Sequence, residues 1–186
     1  GGFETIPDVM DLPFIARRAT CAPADTRARL GLPEGRLALV SFGGYGVGRL
    51  DVAALGALTE YRIATTDLPT RTYSIEPTPG LLHISEQQLH ARGLKYEDLV
   101  RAADIVVTKP GYGIISEAIA NDAALLYTSR GRFVEYDVLV KEMPRYLRAQ
   151  FIDRENLLKG NWAPSLETLL NQPPPREVPP LNGAEV

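Results

Sequence analysis

Lys109-Pro110-Gly111-Tyr112-Gly113-Ile114, followed by Glu117, is the stretch of this sequence whose residue types and spacing could do chemistry. Gly111 and Gly113 predict a tight turn, and the apolar residues after them predict a helix whose first amides lack in-helix acceptors. Such a helix start favours an anion, most often phosphate. Glu117 falls about one turn into that helix, where a carboxylate would accept hydrogen bonds from two neighbouring sugar hydroxyls if a nucleotide lay across the turn. Lys109, and Arg130 at the end of the next apolar run, would offset phosphate charge. An ordinary strand-to-helix turn stays open beside this reading. The macrodipole favours an acid near a helix start with no ligand present, and Lys109 and Arg130 read equally well as solvent-facing charges.

The elements that must position these residues follow from the apolar pattern. Ile105 to Thr108 is a short β-branched run fit for a buried parallel strand, and Ala124 to Thr128 is the next one. Upstream, Pro23 to Leu30 with Gly31 behind it predicts a helix. Arg36 to Phe42 predicts a strand, Asp51 to Thr59 a helix, and Tyr61 to Thr66 and Leu81 to Ser85 two further strands. Residues 67 to 80 form an irregular loop, and Lys95 to Ala103 a short amphipathic helix. Beyond the central stretch come a helix over Phe133 to Arg148 broken near Pro144, a strand at Phe151-Ile152, and helices at Arg154 to Leu158 and Ser165 to Leu170. Alternation of this kind defines an α/β fold, a Rossmann-like doubly wound parallel sheet, whose ligands sit beyond the strand C-termini. Both glycine turns, Gly43-Gly44-Tyr45-Gly46 and Lys109 to Gly113, then share one rim. The expected organisation is a connecting arm over residues 1 to 22, a nucleotide-binding domain over 23 to 171, and a flexible proline-rich tail over 172 to 186.

Composition bounds the function. At 186 residues and 20.4 kDa, with 45% hydrophobic and 23% charged residues, the chain suits one soluble domain with a real core. A net charge of -3 gives no sign of nucleic acid, and the arginine pairs at Arg17-Arg18 and Arg27 to Arg29 read as solvated surface. No apolar run approaches the length of a membrane span, and the N-terminal stretch lacks a signal-peptide core. The single Cys21 and the absence of metal-ligand spacing make a reducing compartment, the cytoplasm, the default. The first glycine turn misses the dinucleotide fingerprint because Arg49 stands where its third glycine belongs, and no Walker pattern is present. The opening Gly1-Gly2-Phe3, without an initiator methionine, is read as a piece of something longer.

Taken in order, the glycine-rich turn after the first strand and the run Ala-Ala-Asp-Ile-Val-Val-Thr-Lys-Pro-Gly-Tyr-Gly-Ile-Ile-Ser-Glu-Ala resemble the C-terminal, donor-binding half of GT-B glycosyltransferases. The pattern is similar to that of the peptidoglycan N-acetylglucosaminyltransferase and the diacylglycerol glycosyltransferases. It resembles more closely still the glycosyltransferase-like region of L-arabinokinase-like proteins. The resemblance covers about residues 13 to 171 and implies one half of a GT-B fold. By that resemblance Gly43 and Gly44 lie near the donor diphosphate and acceptor, and Tyr45 stands where the family often has a small hydroxyl residue, a replacement that would block or reshape the phosphate pocket. Gly111, Tyr112, Gly113 and Ile114 meet the diphosphate, and Glu117 holds the ribose hydroxyls. Where the family offers an acid and an amide for the sugar, this chain has Gly131 to Asp137, and Glu135 is the substitute acceptor.

The resemblance implies a nucleotide-sugar partner with no cofactor and no metal, in keeping with the lack of any Asp-x-Asp pair. It also implies a missing N-terminal acceptor domain, or a fused domain, that would supply the catalytic base. No catalytic residue is assigned here, because His83 and His90 read as structural or exposed. The chain alone is expected to bind a sugar nucleotide without turning it over. Two other functions remain open: a degenerate regulatory or docking module attached to a sugar kinase, and half of a nucleotide-sugar epimerase or hydrolase.

Overall fold

β-Branched and leucine-rich runs, buried at successive positions, build the centre of the molecule. In a computed structural model, residues 10–43, 50–66 and 81–185 are described. Six parallel strands form one sheet in the order β3-β2-β1-β4-β5-β6. They are β1 (Arg36–Val40), β2 (Tyr61–Thr65), β3 (Leu81–His83), β4 (Ile105–Thr108), β5 (Ala124–Tyr127) and β6 (Ala149–Phe151). The order is the doubly wound one, with its reversal between β1 and β4. Register there pairs Ala38 with Ile105 and Val40 with Val107. Both central strands are buried on both faces, as parallel strands between two helical layers must be.

Alternation along the strands divides the core into two. Leu37, Leu39, Val106, Leu125 and Tyr127 pack on one face with residues of α3 (Glu86–Ala91), α4 (Tyr96–Ala102) and α5 (Tyr112–Ala120). Ala38, Val40, Ile105, Val107 and Leu126 pack on the other, with Leu55 of α2 (Val52–Leu55), Leu157 of α7 (Arg154–Leu158) and Leu166 and Leu169 of α8 (Ala163–Leu170). Trp162 anchors this second face; it is fully buried, and its indole N–H donates to the Leu157 carbonyl at 2.9 Å. α1 (Pro23–Leu30) ends at Gly31, whose φ of 63° is the left-handed conformation that glycine adopts without strain. α6 (Tyr136–Glu142) passes into a 3-10 turn at Met143–Arg145, so the interruption expected near Pro144 falls where proline removes a donor.

Two elements differ from the sequence reading. The helix expected over Asp51 to Thr59 is only one turn long and is followed by turns. α3 was read as a polar loop holding His90. Ser85 caps this helix by accepting from the Gln88 amide, while the Gln88 side chain accepts from the Ser85 amide.

Residues 14–15 and 180–183 lie side by side. The Phe14 amide donates to Pro180, the Gly183 amide to Phe14, and Ile15 forms an antiparallel bridge with Asn182. Arg145 pairs with Glu177 at 3.0 Å. The proline-rich segment is tied to the arm and to the end of α6 through these contacts.

Candidate functional site

Because the sheet order reverses at β1 and β4, the connections leaving these strands go to opposite faces and a cleft opens between them. Its volume is about 630 Å³, within the range of small-molecule sites. The Thr108 hydroxyl donates to the Ser41 carbonyl at 2.6 Å and the Ser41 amide to Val107 at 2.9 Å, which tie the two strand ends at the cleft floor.

One wall is the start of α5. Gly111 is its N-cap, no side chain caps it, and no acid lies in its first turn. The amides that open an α-helix have no acceptor within it, so those of α5 are donors at the cleft wall. Gly111 has a φ of −161°, extended backbone open to any residue, and Gly113 is already helical. Neither glycine therefore answers a conformational need, and a spatial one holds for Gly111 alone. A Cβ on Gly111 would lie 2.7 Å from Nη1 of Arg130, whereas one on Gly113 would meet nothing within 4 Å. Arg130 donates to the Pro110 carbonyl at 3.1 Å and lies 3.7 Å over the Phe133 ring, which fixes its guanidinium against the turn. Burial, and then the charge of Arg130, hold the Lys109 ammonium below lysine's usual value, as two cations sharing one wall must.

Further along α5 stands the acid of the cleft, Glu117, with Glu97 near it through their shared partner Arg17. Glu117 is 7% exposed and Glu97, from α4, 6%. Arg17 of the arm reaches between them: its Nε and Nη2 both meet Glu117 Oε1 at 2.5 Å, and Nη1 lies 3.7 Å from Glu97 Oε2. Its guanidinium also sits 5.7 Å from the centre of the Tyr96 ring. Burial pushes the Glu117 carboxyl above the usual carboxylate range; the hydrogen bond and charge of Arg17 oppose this, and the charge of Glu97 adds to it. The Tyr96 hydroxyl shares a 2.7 Å hydrogen bond with Ser41, and burial raises its pKa against that bond.

Of the residues singled out in the sequence, Gly43, Lys109, Gly111, Gly113, Ile114, Glu117 and Arg130 line this one cleft. Gly43 has a φ of 60°, so the first glycine turn does begin with the left-handed backbone that glycine permits. Gly44 and Tyr45 lie outside the described residues. Tyr112 does not line the cleft; it is 44% exposed, stacks on Phe14 with ring centres 5.8 Å apart, and its hydroxyl accepts from the Ile15 amide. Glu135 is exposed at the N-cap of α6 and does not line the cleft either. Residues that sequence reasoning passed over include Arg17, which was read as solvated surface, and Ser41 and Tyr96, whose contact joins positions 55 residues apart. Among the described residues no group of three or more His, Cys, Asp or Glu side chains could hold a metal ion. No helix among them is long and apolar enough to cross a membrane.

A six-stranded parallel sheet in this order, with its cleft at the strand C-termini, is one half of the GT-B glycosyltransferase fold, and solved structures of that class superpose on it. The glycosyltransferase of kitacinnamycin covers 87% of this chain with a TM-score of 0.59 at 17% identity, and the spinosyn forosaminyltransferase SpnP covers 88% with 0.57 at 13%. The chain accounts for 40% and 42% of those two structures. In sequence it is similar to L-arabinokinase of Arabidopsis thaliana, 26% identical over 188 residues, a match spanning 96% of this chain and 16% of that protein. No protein-family model matches the chain.

Proposed function

We propose that this chain binds the nucleoside diphosphate of a sugar nucleotide and serves as the donor half of a metal-independent glycosyltransferase. The observation that carries this reading is the convergence, in one cleft at the sheet's reversal point, of the uncapped α5 start, the cations Lys109 and Arg130, and the buried carboxylate of Glu117. The diphosphate lies against the α5 amides with the cations beside it, and the ribose lies toward Glu117. In the transfer an acceptor oxygen attacks the anomeric carbon, the bond from that carbon to the diphosphate breaks, and the acceptor's proton passes to a base outside this chain. Donors already aimed at the departing diphosphate meet the developing charge without reorganisation. The missing half would supply that base and the acceptor site.

An NMR titration of the chain with UDP tests the reading. Shifts concentrated at Gly111 to Glu117, with affinity in the micromolar range or weaker, are expected; an unchanged spectrum rejects it. A second reading draws on the relative named L-arabinokinase, in which the matched segment is 16% of the length. There the same fold would serve as a docking or regulatory module within a longer, kinase-bearing protein. Nucleotide binding with no sugar transfer by the complete protein would favour that reading.

A further inference from the structure

Arg17 comes from the arm, yet its position is set by the domain. The buried Asn121 donates to the Arg17 carbonyl at 2.9 Å and accepts from the Ala19 amide at 2.8 Å. Asp98, also buried, accepts from the Thr20 and Cys21 amides at 2.8 and 2.9 Å, and on the other side Ile15 donates to the Tyr112 hydroxyl. Backbone held on both flanks leaves the guanidinium little freedom to leave the cleft. Its Nε–H and one Nη2–H converge on a single oxygen of Glu117, with Glu97 the second carboxylate in reach.

We propose that Arg17 is a positioning residue: gripping Glu117 through Oε1, it presents that carboxylate as a pure hydrogen-bond acceptor to the two hydroxyls of a ribose lying across α5. This rests on the nucleotide reading above. Two physical effects make the grip necessary. Two N–H groups meeting Oε1 fix where that oxygen sits and leave Oε2 as the acceptor turned to a ligand, a restraint that a lone buried carboxylate lacks. The surroundings of Glu117 also push toward the neutral acid. Burial and the charge of Glu97 act in that direction, while Tyr96 of α4, the neutral Asn121 at the end of its own helix, Glu86 and the cations Lys109 and Arg130 complete the groups around it, the two cations favouring the ionised form. With Arg17 removed, burial and Glu97 act on Glu117 without its counter-charge. A protonated Glu117 has one oxygen committed as donor and no longer accepts from both hydroxyls.

The test uses the 186-residue chain, its Arg17→Met variant, which keeps an apolar stem against Tyr96, and Arg17→Lys as the conservative rescue. A pH titration of the Glu117 carboxyl carbon by NMR should show proton binding about tenfold tighter in Arg17→Met, the equivalent of a one-unit rise. Arg17→Lys should fall between it and the wild type. UDP and its 2′-deoxy counterpart are then titrated at pH 6 and pH 8. The wild-type preference for the ribose form should shrink about tenfold in Arg17→Met at pH 6, recover toward pH 8, and be partly restored by Arg17→Lys. An unmoved Glu117 titration, or a ribose preference in Arg17→Met equal to wild type at both pH values, overturns the inference and leaves the nucleotide reading standing. A wild-type chain that binds neither nucleotide overturns the reading itself, and the role of Arg17 in ribose binding falls with it.

Discussion

At the start of α4 the carboxylate of Asp98 collects the amides of Lys95, Thr20 and Cys21, whereas at the start of α5 Gly111 brings no side chain to the first amides at all. The two helices begin on the same rim, and Tyr96, the first residue of α4, lines the same cleft as Gly113 and Ile114 of α5. Both starts carry the positive end of a helix dipole. One is satisfied within the chain: burial raises the Asp98 carboxyl, but the amides of Cys21, Lys95 and Thr20 outweigh it and hold the group below its ordinary value. The other has no side-chain cap and no acid in its first turn, and it faces the cleft beside Lys109 and Arg130, which adds positive charge to positive charge. A helix end that neutralises itself builds structure, and one that gathers cations instead is arranged for an anion from outside.

Three changes would break or sharpen this contrast. The largest effect is expected from Asp98→Ala, which strands three backbone donors and frees the arm. A loss of about 4.5 kcal/mol in chemical denaturation is expected, since each of the three bonds to this charged acceptor contributes about 1.5 kcal/mol. The same group gives a pH signature. Because its folded pKa is lowered, the stability it contributes is present above the ordinary carboxyl range, from about pH 4 upward. That stability is lost as pH falls through the folded value, and Asp98→Ala should flatten this acid limb.

Next comes Gly113→Asp, which gives α5 the acid that α4 already has. Space is open at this position, so the fold should tolerate it, and the helix should gain about 0.5 kcal/mol from the dipole. UDP affinity measured by calorimetry should fall by about tenfold or more, through repulsion of phosphate at close range. Equal affinity in the variant would remove the α5 start from the site. Smallest is Gly111→Ala, whose Cβ would press on the Arg130 guanidinium. Arg130 is held by Pro110 and Phe133 and must shift by a fraction of an ångström, so UDP affinity should fall about threefold to tenfold, in line with one weakened charge-assisted contact.

Local signals made much of the fold legible. Ile105–Thr108 and Ala124–Tyr127 are apolar runs too short for helices and bounded by turn residues, and both are strands. α3 carries a local signal too, since Ser85 followed three residues later by Gln88 is the pattern of a capping box. The site was legible where one segment builds it: Lys109, Gly111, Gly113, Ile114 and Glu117 are neighbours in sequence and in the cleft. It was illegible where distant segments meet. Arg17 lies 100 residues from Glu117, and no local pattern separates an arginine that will be drawn between two buried acids from one that will stay in water. Tyr112 and Glu135 show the converse. Both stand next to residues of the right kind, but their side chains turn to the arm and to solvent.

The antiparallel bridge between Ile15 and Asn182 joins segments that are far apart in sequence. Because residues 14–15 and 180–183 lie side by side, a polypeptide cut back to that pair could be joined across it by a short graft and reopened in an exposed bend such as the one at Gly131 without reordering the sheet. Such a permuted molecule would show that the fold depends on which segments are neighbours and not on which of them is made first.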